Sequence, residues 1–374
     1  MKKTLTLVLA ALVLLGIVTT AFAEGVPAPK PFKIAAVWGA STDSERTAQI
    51  NNLRTIVETA GGEFIHAQAS DTPEEQINGV ESAIAAGVSG LIMTPCSDSI
   101  VPRVQRACEE AGVYFAFVYR DCADPDIKAD LEACSYYVGG SSADDIKTGY
   151  DAMKILADDG RKNVAVFAMT IGNLTGDGRD EGASKAAEEF GVNIVNFTRG
   201  VTEAADATKV VENLIAAYPE LDGIQCQAAN YCPGIVTAII NALESLGKTD
   251  DVKVSIIDYY PDMGTHFENG VLLGAVGGNN ITEPIFCMFE VVNAVLGTPL
   301  ADEPFKVTGQ YLPATGAETA NDYNYYIGGN IPVYIGDEIL HLIKYYNPDL
   351  TLDEFLNIAN GISVEEVVRR HEGM

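Results

Sequence analysis

Ala86-Gly87-Val88-Ser89-Gly90-Leu91-Ile92 and Tyr218-Pro219-Glu220-Leu221-Asp222-Gly223-Ile224 follow one plan. In each a helix ends, the chain turns, and a buried strand begins. A short apolar run bounded by turn residues reads as a strand covered on both faces. Outward from the first copy, Lys33 to Val37 and Phe64 to Ala67 are apolar strands, and Val113 to Val118 is a fourth. Between the first two, Ile50, Leu53, Val57 and Ala60 recur at helical spacing until Gly61-Gly62 stops the helix. Thr72, Pro73 and Glu75 form an N-cap, a first-turn proline and a capping-box acid for the next helix. Strands separated by helices predict a parallel sheet with right-handed crossovers.

The pattern restarts around the second copy. Helices at about 144–157, to Phe190-Gly191, to Ala217 and to Leu246-Gly247 alternate with strands at 164–167, 193–196, 223–227 and 252–257. A helix to Asn269-Gly270, a strand at 273–276, a helix at 283–296 and a strand at about 305–312 follow. The fold class is therefore α/β, with two similar doubly wound parallel-sheet lobes. Val138-Gly139-Gly140-Ser141-Ser142 reads as their connector, and Asp121 to Ser135 as a loop of little apolar content. Late chain should complete each sheet, so three strands are expected to cross between the lobes. The expected division is 32–137 with 278–306 for lobe one, and 138–277 with 307–314 for lobe two. Residues 315–374, with helices at 337–346, 352–359 and 364–371, should pack on them as an extension.

The chain has 374 residues, 24 Lys+Arg and 52 Asp+Glu, giving a formal charge of −28. Such a surface repels phosphate backbones, which argues against nucleic-acid binding, and it disfavours anionic membranes. Lys2 and Lys3, the apolar run Leu5 to Val18, and Ala21-Phe22-Ala23 make residues 1–23 an expected export signal, an uncleaved anchor being the alternative. Among seven cysteines, Cys122 and Cys134 are the first expected disulfide and Cys226 with Cys232 the second; the alternative is that all thiols are free.

No GxSxG, HExxH or P-loop is present, and the four histidines are scattered. No Cys/His spacing fits zinc. The acids from Asp121 to Glu132 lack the spacing and glycine of a calcium loop. Catalytic residues, cofactors and metals are accordingly not expected. Polar and aromatic residues gather instead at the carboxyl ends of the strands, the edge where open parallel sheets bind ligands. Lobe one offers Trp38, Asp43, Thr94, Tyr119 and Arg120; lobe two offers Asp177, Asn230, Tyr259 and Tyr260; Asn279 follows a late strand. Planar polar groups bond paired hydroxyls, and rings cover the apolar face of a sugar. Each residue alone would serve equally well in a turn or a cap. Arg120 could instead pair with Asp121 or Asp43.

Gly90-Leu91-Ile92-Met93-Thr94-Pro95, Ala111-Gly112-Val113, Tyr119-Arg120, Gly178-Arg179-Asp180-Glu181-Gly182 and Ala229-Asn230 occur in a specific order and spacing. In them the chain, from about Lys33 to Leu312, resembles the type I periplasmic binding proteins of bacterial ABC importers, in the ribose- and galactose-binding group. That resemblance implies two lobes on a three-strand hinge. It gives Arg120 the place of the sugar-binding arginine and Asn230 that of the lobe-two asparagine. Thr94 and Asp43 stand where asparagines are usual, and Tyr119 replaces an aspartate. Glu45 and Arg46 replace stacking phenylalanines, and Asp177 falls where a second arginine is expected. These departures point away from ribose, with Trp38, Tyr259 and Tyr260 supplying rings instead. The expectation is an exported, monomeric, non-enzymatic binder that closes on a small neutral sugar and passes it to a membrane ABC permease. A nucleoside or sugar-like signal, a sensor subunit for a receptor kinase, and a secreted α/β enzyme are the alternatives.

Overall fold

The computed structural model describes residues 26–40, 44–70, 72–227, 234–329 and 331–373. The expected signal segment, Asp43, Asn230 and Cys232 lie outside them. The first lobe runs β1 (Lys33–Trp38), α1 (Ser44–Thr59), β2 (Glu63–Gln68), α2 (Pro73–Ala85), β3 (Gly90–Met93), α3 (Val101–Ala111), β4 (Tyr114–Phe117), α4 (Pro125–Glu132) and β5 (Tyr137–Ala143). The second runs α5 (Asp145–Asp158), β6 (Asn163–Ala168), α6 (Leu174–Phe190), β7 (Asn193–Arg199), α7 (Ala204–Ala217), β8 (Gly223–Cys226), α8 (Ile235–Ser245), β9 (Lys253–Ile257), α9 (Met263–Glu268) and β10 (Leu272–Val276). Then come α10 (Asn279–Val295), β11 (Phe305–Gly309), α11 (Ala317–Asp322), α12 (Asp337–His341), α13 (Leu352–Asn360) and α14 (Val364–Glu372).

The sheets share one topology. The first is ordered β2-β1-β3-β4-β5-β11 and the second β7-β6-β8-β9-β10, with parallel pairing throughout. Every residue of β3 and β8, the strands of the two quoted copies, is buried. Local caps set the starts of helices. The Thr72 hydroxyl accepts from the Glu75 amide at 3.4 Å, and the Glu75 carboxylate accepts from the Ser70 amide at 3.0 Å.

Two expectations are corrected here. The segment 138–142 is a strand interior, because β5 lies wholly in the first sheet. Lobe one therefore extends to Ala143, beyond the expected boundary at 137, and β11 belongs to it too. Gly139 and Gly140 are needed because β11 and β4 press in: a methyl group there would overlap the carbonyl oxygens of Phe305 and Phe117. The loop expected at 121–135 contains α4. Its Asp124 carboxylate accepts from the amides of Asp126 (2.9 Å) and Ile127 (3.2 Å), and Pro125 opens the first turn.

That helix also removes the expected Cys122–Cys134 disulfide. The two residues lie on either side of it, and the Cys122 thiol donates to the Asp124 carbonyl at 3.7 Å. Both thiols are free.

The chain passes between the lobes three times. It leaves after β5 at Ala143 and returns at Gly277-Gly278, both with positive φ. It crosses again beyond β11, where Ala314 and Ala275 exchange backbone hydrogen bonds of 2.8 and 3.0 Å.

The extension touches both lobes. Ile339, Ile343, Phe355 and Val367 share one core with Leu53 and Ile56 of α1 and Phe286 and Phe289 of α10. Asn293 of α10 donates to the Leu342 carbonyl at 3.0 Å and accepts from the Lys344 amide at 2.7 Å. These bonds hold an irregular turn where a longer helix was expected: α12 stops at His341. On the other lobe α11 packs against α9, with Asn321 seated over Gly264. The Tyr323 ring stacks on Tyr259 with centroids 3.7 Å apart, and its hydroxyl donates to the Gly278 carbonyl at 3.1 Å.

Candidate ligand-binding site

The carboxyl ends of both sheets face a cavity of about 700 Å³, within the range of small-molecule sites. Lobe one contributes Gln49, Thr94, Tyr119 and Arg120; lobe two contributes Asp145, Asn173, Arg179, Asp258 and Tyr259; the crossings add Asn279, Glu283 and Tyr311. Tyr119 (φ 67°) and Asp258 (φ 73°) are the non-glycine residues with positive φ among the described residues, and both line this cavity. Such backbone is unfavourable for these side chains and persists where the surroundings over-determine it.

Arg179 is the central cation. It is 7% exposed, with Nε 3.3 Å from Asp145 Oδ1 and Nη1 3.6 Å from Asp258 Oδ2, and Nη1 donates to the Gln227 carbonyl. Burial works against its charge, and the carboxylates of Asp258 and Asp145 outweigh that and hold it protonated. Burial pushes both of those carboxyls up, and Arg179 opposes the shift in each. Two close approaches place these groups. A methyl group on Gly149 of α5 would overlap the Arg179 carbonyl, and one on Gly182 of α6 that of Ile146. Glycine at both positions lets α5 and α6 pack closely, which sets Asp145 beside Arg179.

Arg120 donates to the carbonyls of Pro95 (3.3 Å) and Cys96 (3.2 Å). Asp121, its alternative partner, pairs with Lys128 at 2.8 Å and with Lys306 instead. The Tyr119 hydroxyl donates to the Asn280 carbonyl, which also receives Gln49 Nε2 at 2.8 Å. Asn279 Nδ2 donates to Glu283 Oε2 at 2.7 Å. Four buried polar atoms around the cavity have no hydrogen-bond partner among the described residues: Thr94 Oγ1, Asn279 Oδ1, Glu283 Oε1 and Tyr311 OH. Buried polar groups are normally paired, so four orphans around one cavity mark it as a place for a hydroxyl-rich ligand.

The structure thus brings Thr94, Tyr119, Arg120, Tyr259 and Asn279 to the cavity. Trp38 does not line it. It is 6% exposed, packs edge-on against Tyr119 with centroids 5.8 Å apart, and lies under the Arg46 guanidinium at 5.3 Å. Asp177 does not line it either: its carboxylate accepts from the Gly172 amide at 3.1 and 3.3 Å, fixing the loop before α6. Two residues along a helix turn the side chain by about 200°, so Asp177 and Arg179 cannot share a face. Arg179, already within the Gly178–Gly182 stretch, was missed for that reason. Glu283 and Gln49 were missed because they sit on helix faces rather than at strand ends.

Burial pushes the Glu283 carboxyl up to about 7 against hydrogen bonds from Ser141 and Asn279, from an ordinary value of 4.5. An acid whose pKa is higher folded than unfolded binds more protons in the fold, so its contribution to stability falls as pH rises across that window. The loss amounts to about 3 kcal/mol. Glu283→Gln should match wild type near pH 5 and melt higher near pH 8. Parallel melting curves across that range would show that Glu283 does not titrate there.

The family model described as periplasmic binding protein domain matches residues 34–285. The chain belongs to this family. Its members are non-enzymatic solute-binding proteins that are normally exported, and the fold is the type I periplasmic binding protein fold. Among solved structures the chain is similar to an ABC transporter periplasmic solute-binding protein from Actinobacillus succinogenes with bound D-allose. The identity is 21% over 79% of this chain and 100% of that one, with a TM-score of 0.66. An ABC transporter solute-binding protein from Bacillus halodurans with bound myo-inositol matches at 20% identity, 79% and 98% coverage, and a TM-score of 0.63. A periplasmic ribose ABC transporter structure from Conexibacter woesei matches at 15% identity, 80% and 96% coverage, and a TM-score of 0.65. A search of curated proteins finds no match. No helix among the described residues is long and apolar enough to cross a membrane.

Proposed function

We propose that this periplasmic binding protein captures a small neutral sugar or cyclic polyol between its lobes and delivers it to an ABC permease after export. The four orphaned polar atoms around the cavity carry this reading. Each would be satisfied by a ligand hydroxyl, and leaving one unpaired costs about 1–3 kcal/mol. The charges favour a neutral ligand. Glu45, Asp145, Asp258, Asp262 and Glu283 face Arg46, Arg120 and Arg179, so the lining has no surplus of positive charge for an anion. The D-allose and myo-inositol bound by the similar proteins are neutral polyols of suitable size. Ring placement favours a sugar over a nucleoside: Tyr323 covers Tyr259, and Trp38 lies behind Tyr119.

A thermal-shift screen of neutral hexoses, pentoses and inositols beside sugar acids and nucleosides tests the reading. A neutral polyol should raise the melting temperature, and a response confined to nucleosides or acids would overturn it. Arg120→Ala should weaken that polyol by tenfold or more, since one charge-assisted hydrogen bond contributes about 1.5–3 kcal/mol. Arg120→Lys should recover part, lacking the planar fork. Unchanged affinity in Arg120→Ala would make this arginine a loop-ordering residue, bonded only to Pro95 and Cys96.

A further inference from the structure

A second cavity, about 490 Å³, opens at the opposite edge of the first lobe, where β4, β5 and β11 begin. Its walls include Tyr114, Tyr137, Leu300 and Phe305, and α10 lies along it. Glu290 of α10 lines this cavity. The residue is 2% exposed, and neither carboxyl oxygen has a hydrogen-bond partner among the described residues. Exposed Glu132, Asp302 and Glu303 surround the same space, and no lysine, arginine or histidine lines it. A buried carboxyl with no partner is expensive, and such groups are kept neutral or matched with a cation. Burial alone drives the Glu290 carboxyl well up, which keeps it protonated while the cavity lacks positive charge.

We propose that this cavity binds a small organic amine in its protonated form, with the ammonium seated on Glu290 and its carbon chain against the tyrosine, leucine and phenylalanine walls. The outer acids would draw the cation in, and an ammonium at Glu290 would stabilise the carboxylate and displace its proton to solvent. A metal ion suits the site poorly, since no grouping of three or more His, Cys, Asp or Glu able to hold one occurs among the described residues. The site is separate from the interlobe cleft and does not depend on what the cleft binds.

Calorimetry on the whole chain with ethylamine, ethanolamine and putrescine, with sodium chloride at matched ionic strength as the control, tests this. One of the three amines should bind saturably at one per chain. Titrations in buffers of different ionisation enthalpy should show proton release. Glu290→Gln should weaken the amine at least tenfold and abolish the proton release, while Arg120→Ala leaves both unchanged. Three results would overturn the site: no amine binds beyond the salt control, Glu290→Gln binds as wild type, or Arg120→Ala loses the amine.

Discussion

Arg179→Met is expected to weaken ligand binding by more than a hundredfold and to destabilise the ligand-free protein at the same time. The substitution leaves the carboxyls of Asp145 and Asp258 facing each other in a buried site. Breaking a buried ion pair from one side typically costs about 3–5 kcal/mol. Burial already pushes both carboxyls up while Arg179 opposes the rise, so without the guanidinium both move higher. The variant should therefore lose most stability at neutral and alkaline pH and least in acid. Arg179→Lys should recover much of the stability, since it retains a charge, and little of the affinity, since an ammonium has no fork. Denaturant titration at two pH values, with calorimetry on the cognate polyol, reads both effects. Wild-type affinity in Arg179→Met would remove this residue from the site.

The second large effect concerns the extension. A chain ending at Ala314 should fail to accumulate as a soluble folded protein. The apolar faces of α1 and α10 are covered by Ile339, Ile343, Phe355 and Val367, and truncation would expose them together. A milder variant keeps the expectation measurable. Phe355 is fully buried, with its ring edge-on to Phe286 (5.8 Å) and Phe305 (6.1 Å). Phe355→Ala should cost about 3–5 kcal/mol in denaturant unfolding. If the truncated chain melts like the full one, the extension is not part of the folding unit.

The same extension bears on movement. Lobes of this kind close by hinge rotation. Here α12 packs on α1 and α13 on β11 of lobe one, while α14 packs on α11, and α11 and Tyr323 lie against α9 and Tyr259 of lobe two. The extension therefore bridges the two lobes. The family model ends at residue 285, so this feature lies beyond the part of the chain that it matches.

Most of the architecture was legible because buried parallel strands are short apolar runs between turn signals, as at Gly90–Met93 and Gly223–Cys226. The strand β5 was not. Its Gly-Gly-Ser-Ser composition looks like a linker, and only the neighbouring backbones of β4 and β11 explain why side chains are excluded there. The helix α4 was hidden by its polar composition, although Asp124-Pro125 carried a readable start signal. At the site, residues that directly follow strands could be found, because topology alone fixes where strand ends point: Thr94, Tyr119, Arg120 and Tyr259 all reached the cavity. Residues on helices depend on rotation about the helix axis. A choice between Asp177 and Arg179 needed the register of α6 against α5, which only the packed structure supplies.

The central claim is that one neutral polyol occupies the interlobe cleft. Calorimetric titration of a neutral hexose and inositol panel into the whole chain tests it most directly. The account predicts saturable binding of one such molecule per chain, weakened at least tenfold by Arg120→Ala and more than a hundredfold by Arg179→Met. It would be contradicted by no heat from any neutral polyol while a nucleoside or an anionic sugar binds one to one, or by a polyol whose affinity neither substitution changes.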